Sequence, residues 1–332
     1  MFKRGIEKKS ENFWQKLEKP LFVIAPMANV TDVAFRHMFS KYGKPDVMWT
    51  EFVSADGLCS AGREILLNDL KFSKKEKPIV AQLFSSHIDK MRKACGIVAK
   101  LGFDGIDLNM GCPDKSVEKQ GAGAAMMKDA KLAKEIIESA REGVKDVGYI
   151  IPISVKTRIG YNKLDMNWIK FLLEQRLPAL TVHLRTRKEM SDVPAHWDIM
   201  KDIVKMRNEI SPETVLIGNG DVLSLNDAKN KVKESGCDGA MIGRGIFGNP
   251  WFFTGKSPAD FSIEKRLKVM LEHASTFDKY LGGIKNFAIM KKHFKAYVSG
   301  WDGAKELRVK LMESDGLKDV KGIVKDYLKM LK

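Results

Sequence analysis

Short apolar runs alternate with segments of helical periodicity from residue 21 to about residue 253. The runs are continuous rather than alternating, as is typical of parallel strands buried on both faces. Between them, apolar positions recur at helical spacing, for example over residues 87–101 and 224–235. This pattern predicts an α/β protein, a (β/α)8 TIM barrel, with a doubly wound sheet as the alternative. The eight predicted strands cover residues 22–27, 46–52, 78–84, 105–112, 152–158, 179–184, 214–220 and 239–245.

The last part of the chain contains helical periods only, at residues 263–280, 284–298, 304–312 and 317–331. It predicts an all-helical domain that follows the barrel. We therefore divide the chain into an N-terminal extension (1–20), a catalytic barrel (21–255) and a C-terminal helical domain (256–332).

Charge suggests a polyanionic partner. The 332 residues carry a formal net charge of +15, and residues 261–332 hold 16 Lys or Arg against nine Asp or Glu. Nucleic acid is the first expectation. The chain contains no apolar run long enough to cross a bilayer and no secretory signal. Its four scattered cysteines favour neither a disulfide framework nor a zinc site, so a reducing cytoplasm is the expected compartment.

Polar residues stand at the carboxyl ends of all eight predicted strands, where a barrel carries its chemistry. Eight such ends in register indicate one shared ligand. The last two ends, NGD at 219–221 and GRG at 243–245, bring glycines and backbone N–H groups to the place where barrels commonly bind phosphate. Beyond the glycines, the ends comprise Met27, Ala28, Asn29, Glu51, Gln82, Asn109, Cys112, Lys156, Arg158, His183, Arg185, Asn219, Asp221 and Arg244.

Cys112 differs from the other cysteines because it lies at a strand end, in NMGCP. An ordinary thiol holds its proton at neutral pH and can act as a general acid in a cofactor pocket. A nucleophilic role, with His183 as the base, remains open at this point.

The sequence resembles the tRNA-dihydrouridine synthase family. The resemblance covers nearly the whole chain, and its most specific part is NMGCP followed by GAGAAMM. Leu184 stands where the family usually has glycine. The other motifs are APMANVTDVAFR, TEFVSADGL, AQLF, SVKTRIG, HLRTR, NGD and IGRG, and the tail segments KNFAIMKKHFKAYVSG and AKELRVKLMES resemble the family's RNA-binding helices.

The resemblance implies reduction of the C5=C6 bond of specific uridines, with hydride from reduced FMN to C6 and a proton from Cys112 to C5. It implies that Asn109, Arg158 and Arg187 lie near a uracil flipped out of its stack. FMN is then held by Pro26, Met27, Ala28, Gln82, Lys156, His183, Asn219, Gly220, Asp221, Gly243 and Arg244.

The same resemblance implies NADPH or NADH as the hydride donor and tRNA as the partner, with other structured RNA as an alternative substrate. We expect a cytoplasmic monomer without a metal or a membrane contact. Two alternative functions stay open: another FMN barrel similar to dihydroorotate dehydrogenases, and a non-catalytic RNA-binding protein.

Overall fold

A computed structural model describes residues 12–331, and in it eight parallel strands form one sheet. The neighbours run in the order β1-β8-β7-β6-β5-β4-β3-β2. A parallel bridge between Val23 and Val47 joins β1 to the start of β2 and closes the sheet, which confirms the predicted TIM barrel. The strands are β1 (Leu21–Ile24), β2 (Met48–Ser54), β3 (Ile79–Phe84), β4 (Gly105–Met110), β5 (Ile153–Arg158), β6 (Ala179–His183), β7 (Val215–Asn219) and β8 (Gly239–Ile242).

Helices connect the strands, and the residues at their ends explain where they start and stop. Ser224 caps one helix through the N–H of Asp227, and Gly236 ends that helix in the left-handed region, as its sequence predicts. The helices of the barrel are α1 (Val33–Tyr42), α2 (Ala55–Leu58), α3 (Arg63–Leu66), α4 (Ile88–Lys100), α5 (Lys115–Glu118), α6 (Ala130–Asp146), α7 (Met166–Glu174), α8 (Met200–Ile210) and α9 (Leu225–Ser235).

The two faces of each strand pack into different cores. Outward residues such as Ile106 and Leu108 pack against the helices in the main hydrophobic core. Inward residues such as Val80 and Ile217 form a second core inside the barrel, and Trp14, which is 1% exposed, packs into this core with Trp49. The part of the predicted extension that the structure describes therefore contacts the barrel, whereas residues 1–11 lie outside the described residues.

The C-terminal part is helical, as predicted, and consists of α10 (Ile263–Leu281), α11 (Met290–Tyr297), α12 (Ala304–Glu313) and α13 (Leu317–Met330). Its core includes Val33, Ala34 and Met38 of α1, so it packs directly on the barrel. The domain boundaries themselves stay a prediction.

The prediction of a helix over residues 284–298 was wrong about its first residue, because α11 begins only at Met290. Gly283, with φ of +73°, interrupts the helical backbone after α10. Lys285 therefore lies in the connection, where its ammonium pairs at 2.6 Å with both Glu51 and Asp69 of the barrel. In the helix predicted over residues 284–298, helical spacing would place Lys285 on one face with Lys292 and Lys295. The Lys285 side chain is instead only 14% exposed and paired with the barrel, so it does not belong to that face.

Candidate active site

Alternation along the strands and their register bring the predicted polar residues to the inner face of the barrel mouth. Asn109 of β4 lies opposite Lys156 of β5 in register. Arg158 lies opposite His183, and His183 lies opposite Asn219. Successive residues of a strand point to opposite faces of the sheet. In this register, the side chains of all five residues point to the same face, the inside of the barrel.

A cavity of about 310 Å³ opens among the ends of β1, β5, β6, β7 and β8. Nine of the eleven residues predicted to hold FMN line it: Pro26, Met27, Lys156, His183, Asn219, Gly220, Asp221, Gly243 and Arg244. We call it the larger mouth cavity.

A second cavity of about 200 Å³ adjoins the first, because both contain Pro26, Lys156 and His183. We call it the cysteine cavity, since Cys112 lines it. Three other predicted site residues line it, namely Gln82, Asn109 and Arg158. Phe52 and Pro113 contribute apolar surface. Most of the predicted cofactor residues and two of the three predicted base-binding residues thus line two adjoining cavities.

Two predicted residues line neither cavity. Ala28 is exposed in the connection after β1. Arg187 lies beyond β6, where both its guanidinium Nε and Nη2 donate to the carboxylate of Glu118. The structure places Arg187 on the rim, engaged with a carboxylate that the sequence pattern did not indicate.

Burial sets the protonation of the basic groups in the two cavities. It lowers the pKa of Lys156 to about 8, with the nearby Arg158 as a further cause. It also lowers the pKa of Arg158 to about 10. Among residues 12–331, the ammonium of Lys156 has no hydrogen-bond partner, so its three donors are available to a ligand.

His183 is a neutral imidazole. Burial, followed by Lys156 and other cations, lowers its pKa well below the ordinary value. The Nη1 of Arg185 lies 3.3 Å from His183 Nε2, and because a guanidinium only donates, Nε2 is the acceptor and the proton is on Nδ1. Such an imidazole is a weak base.

Cys112 is held at the cavity through its backbone. Asn109 Oδ1 accepts from the N–H groups of Cys112 at 2.9 Å and Gly111 at 3.2 Å. Arg158 Nε donates to the C=O of Gly111 at 3.0 Å. Burial raises the pKa of the Cys112 thiol, so the thiol keeps its proton at neutral pH. With a weakly basic His183 beside it, this favours a general acid over an activated nucleophile.

Asp221 organises two arginines instead of facing the cavity alone. Its carboxylate accepts from Arg185, from Arg244 at 3.2 Å and from the N–H of Ala195 at 2.8 Å. Arg185 lines the larger mouth cavity; it was among the polar strand-end residues but not among those assigned to FMN or to the base. Its position two residues after His183 was the available signal.

Two backbone positions carry the local geometry near His183. Gly220 has φ of +127°, and a Cβ there would lie 2.7 Å from the Cβ of Ala195 and 3.3 Å from His183 Cδ2, so this position requires glycine. Leu184, where glycine is usual in the resembling family, is fully buried in the main core. A leucine therefore fits there without entering the cavity.

Within residues 12–331, no helix is both long enough and apolar enough to cross a bilayer. The same stretch contains no group of three or more His, Cys, Asp or Glu that could hold a metal ion.

A sequence model of the family described as dihydrouridine synthase matches residues 23–331. The chain belongs to the dihydrouridine synthase family. This membership covers both the barrel and the helical part, and it decides against the alternative similar to dihydroorotate dehydrogenases.

Curated relatives agree over almost the full length. A Staphylococcus aureus (strain MRSA252) protein described as a probable tRNA-dihydrouridine synthase is 40% identical over 96% of both chains. A Bacillus subtilis (strain 168) protein described as probable tRNA-dihydrouridine synthase 2 is 38% identical over 96% of this chain and 97% of its own.

Among solved structures, a 6-hydroxypseudooxynicotine amine oxidase from Pseudomonas geniculata N1 aligns with a TM-score of 0.50. It is 11% identical, and the alignment covers 78% of this chain and 52% of that chain. At this identity the likeness concerns the fold alone.

Proposed function

We propose that this chain is an FMN-dependent oxidoreductase that reduces the C5=C6 bond of uridines in tRNA to dihydrouridine. One observation carries the proposal: a half-buried, protonated thiol adjoins a larger cavity lined by cations and glycines, in a chain of the dihydrouridine synthase family. NADPH or NADH is the proposed source of electrons, and a cytoplasmic monomer is the proposed form.

The donor set of the larger mouth cavity fits a flavin phosphate and ring. Gly220, Gly243 and Arg244 would hold the phosphate end, because backbone N–H groups and a guanidinium suit an anion. Lys156 offers unpaired donors between the two cavities, and His183 offers a neutral ring. The other proposed cofactor contacts are Pro26, Met27, Ala28, Gln82, Asn219 and Asp221.

When bound in its reduced form, FMN would supply the hydride for C6 of the uracil. The Cys112 Sγ–H donates the proton to C5, so that one hydride and one proton add across the double bond. Asn109 holds the backbone of Cys112, and Arg158 closes the other side of the cysteine cavity. Both residues lie where the flipped base would enter. Phe52 and Pro113 contribute apolar surface to this cavity.

The helical part is the proposed RNA-binding region. Extracting a base from its stack costs a few kcal/mol, which contacts to the RNA backbone must offset. Residues 261–332 carry 16 basic against nine acidic residues, nearly half of the chain's net charge of +15, and α10 packs on α1 beside the barrel. Single lysines on such a surface contribute little, so the proposal concerns the surface as a whole.

The test measures dihydrouridine by mass spectrometry after incubating the purified protein with unmodified tRNA and NADPH. Wild-type protein should form dihydrouridine, and Cys112→Ala should be slower by roughly 10²–10⁴, the range for a lost general acid. The variant should retain bound flavin and its reduction by NADPH. Cys95→Ala is the matched control, because Cys95 is buried in the core on α4.

Wild-type turnover by Cys112→Ala would reject the assigned role of the thiol. A colourless wild-type protein that takes up no added FMN would reject the flavin proposal itself.

A further inference from the structure

The position of the Cys112 thiol depends on a loop that folds back on itself, residues 112–124, which we call the cysteine loop. The N–H of Ala124 donates to the C=O of Cys112 at 2.9 Å. Gly123 has φ of +62°, and a Cβ there would lie 2.7 Å from the same carbonyl oxygen. The two ends of the loop therefore lie in close contact, with α5 between them. Any shift of the loop moves Cys112.

Little apolar packing holds this loop. Val117 and Ala122 form a small cluster with Phe84 that is separate from the main core, and Cys112 packs against its edge. A segment with so few buried contacts opens at a lower free energy cost than the strands beneath it. Polar contacts must therefore contribute much of what keeps the loop closed.

One ion pair joins the middle of the loop to the opposite wall of the mouth. Arg187 Nε lies 3.0 and 2.9 Å from the two carboxylate oxygens of Glu118, and its Nη2 also donates to Oε2. The Glu118 side chain is only 10% exposed and the Arg187 side chain 27%, which reduces the screening of this ion pair by solvent. The pKa of Glu118 lies below its ordinary value. Burial alone would raise this pKa, but contacts that include the hydrogen bonds from Arg187 and Tyr161 together lower it by more than burial raises it.

The arginine is itself anchored. The N–H of Arg187 donates to the C=O of Gly160 at 2.9 Å, which ties it to the connection after β5. Its guanidinium lies 5.4 Å from the ring centre of Tyr161, and the ammonium of Lys128 lies 3.8 Å from the same centre. Glu118 therefore pairs with a group whose position is set by two other loops.

We propose that Glu118 is a positioning residue: its pair with Arg187 holds the cysteine loop closed and keeps the Cys112 thiol at the cysteine cavity. This proposal rests on the proposed function, in which Cys112 donates a proton. In the RNA-free protein, Arg187 thus serves to hold the cysteine loop closed before it makes any contact with the base.

The test compares Glu118→Gln with Glu142→Gln. Glu142 pairs with Arg92 at 2.6 Å on the surface of α6, so the control removes the same charge from an ion pair outside the mouth. The first measurement is the rate at which iodoacetamide alkylates Cys112, followed by peptide mass spectrometry. In Glu118→Gln, Cys112 should be alkylated about tenfold faster than in the wild type, as expected when a charge-assisted contact of about 1.4 kcal/mol is lost. Amide hydrogen exchange over residues 113–124 should rise with it.

Turnover supplies the second measurement. Glu118→Gln should lower kcat for uridine reduction by roughly tenfold with flavin content and KM for tRNA unchanged, since the loop acts on the thiol. The charge-reversed double variant, Glu118→Arg with Arg187→Glu, should restore slow alkylation whatever its effect on RNA.

Alkylation and exchange at wild-type rates in Glu118→Gln would overturn the proposal. So would a lower KM with unchanged kcat, because Arg187 would then be an RNA ligand that Glu118 merely restrains. Alkylation and exchange need no turnover, so a protein that forms no dihydrouridine would contradict the proposed function while leaving this test intact.

Discussion

Gln82 donates through Nε2 to the buried carboxylate of Asp107 at 2.7 Å, and this contact fixes which way its amide faces. The Oε1 of Gln82 then accepts from Asn109 Nδ2 at 3.1 Å. Asn109 Oδ1 is thereby turned toward the N–H of Cys112. A carboxylate inside the barrel thus orients, through two amides, the residue assigned to proton transfer.

Asp107→Leu should destabilise the protein, because it leaves Gln82 Nε2 buried without an acceptor. The expected loss in the free energy of unfolding is about 1–3 kcal/mol, measured by urea denaturation. Asp107→Asn keeps an acceptor and should lose less. Ser154→Ala is a milder control, since it removes the 2.6 Å hydrogen bond to the other carboxylate oxygen and a longer contact of 3.4 Å with the C=O of Ile106, and leaves the acceptor of Gln82 in place. Equal stability of the Leu and Asn variants would contradict this ordering.

Lys156→Ala should weaken FMN binding by about tenfold or more, because Lys156 is half-buried between the two cavities and its donors are unpaired. Arg244→Ala should weaken it only a few-fold, since the Arg244 side chain is 68% exposed. Fluorescence titration of the apoprotein with FMN measures both. If neither variant binds FMN more weakly, the cofactor site is misplaced.

The same titration carries a pH dependence. The pKa of Lys156 is about 8, so its charge is present below that pH and is lost as the pH rises through it. FMN affinity of the wild type should fall between pH 7 and 9, and that of Lys156→Ala should stay flatter. Parallel pH profiles would show that another group titrates.

The stability of the protein should fall in mild acid because of two buried histidines where the helical part meets the barrel. The rings of His273 and His293 lie 4.7 Å apart, and none of their four nitrogens has a hydrogen-bond partner among residues 12–331. Burial lowers the pKa of His273 to about 3 and that of His293 well below its ordinary value. The unfolded chain takes up these protons below pH 6.5, whereas the folded protein does not.

The contribution of these two neutral histidines to the free energy of unfolding is therefore fully present above pH 6.5 and is lost as the pH falls below 6.5. At pH 5 the loss is about 2 kcal/mol for each histidine. Urea unfolding at pH 7.5 and 5.0 should show a pH-dependent loss that is about 2 kcal/mol smaller in His273→Phe than in the wild type. An identical loss in both would show that His273 does not titrate in this range.

Lys291→Glu with Lys295→Glu should weaken tRNA binding, because both lysines lie on α11 without the barrel contacts of Lys285. Each lost phosphate contact removes about 0.7–0.9 from the slope of log affinity against log salt. The double variant should therefore flatten that slope, with flavin content unchanged.

Lys131→Glu with Lys134→Glu is the matched control, since it makes the same charge change on the exposed face of α6 in the barrel. An equal loss of affinity in this control would mean that net charge alone attracts the RNA. Unchanged affinity and salt slope in the α11 variant would remove that helix from the docking surface.

The sequence by itself determined the barrel, the helical tail and the position of the polar residues at the strand ends. Continuous apolar runs predict buried parallel strands, and the carboxyl ends of such strands bring Asn109, Lys156, His183 and Asn219 to one end of the barrel. The motif around Cys112 was specific enough to indicate the family. These properties depend on residues close together in the chain, which is why a local pattern reveals them.

Only the tertiary structure decided which charges are paired. Lys285 looked like a free basic residue, but it pairs with Glu51, 234 positions away. Arg187, which the resemblance places near the base, pairs with Glu118. Trp14, in the predicted N-terminal extension, packs inside the barrel. A sequence pattern predicts the face on which a side chain lies. Its partner depends on how distant loops pack, and that packing has no period along the chain.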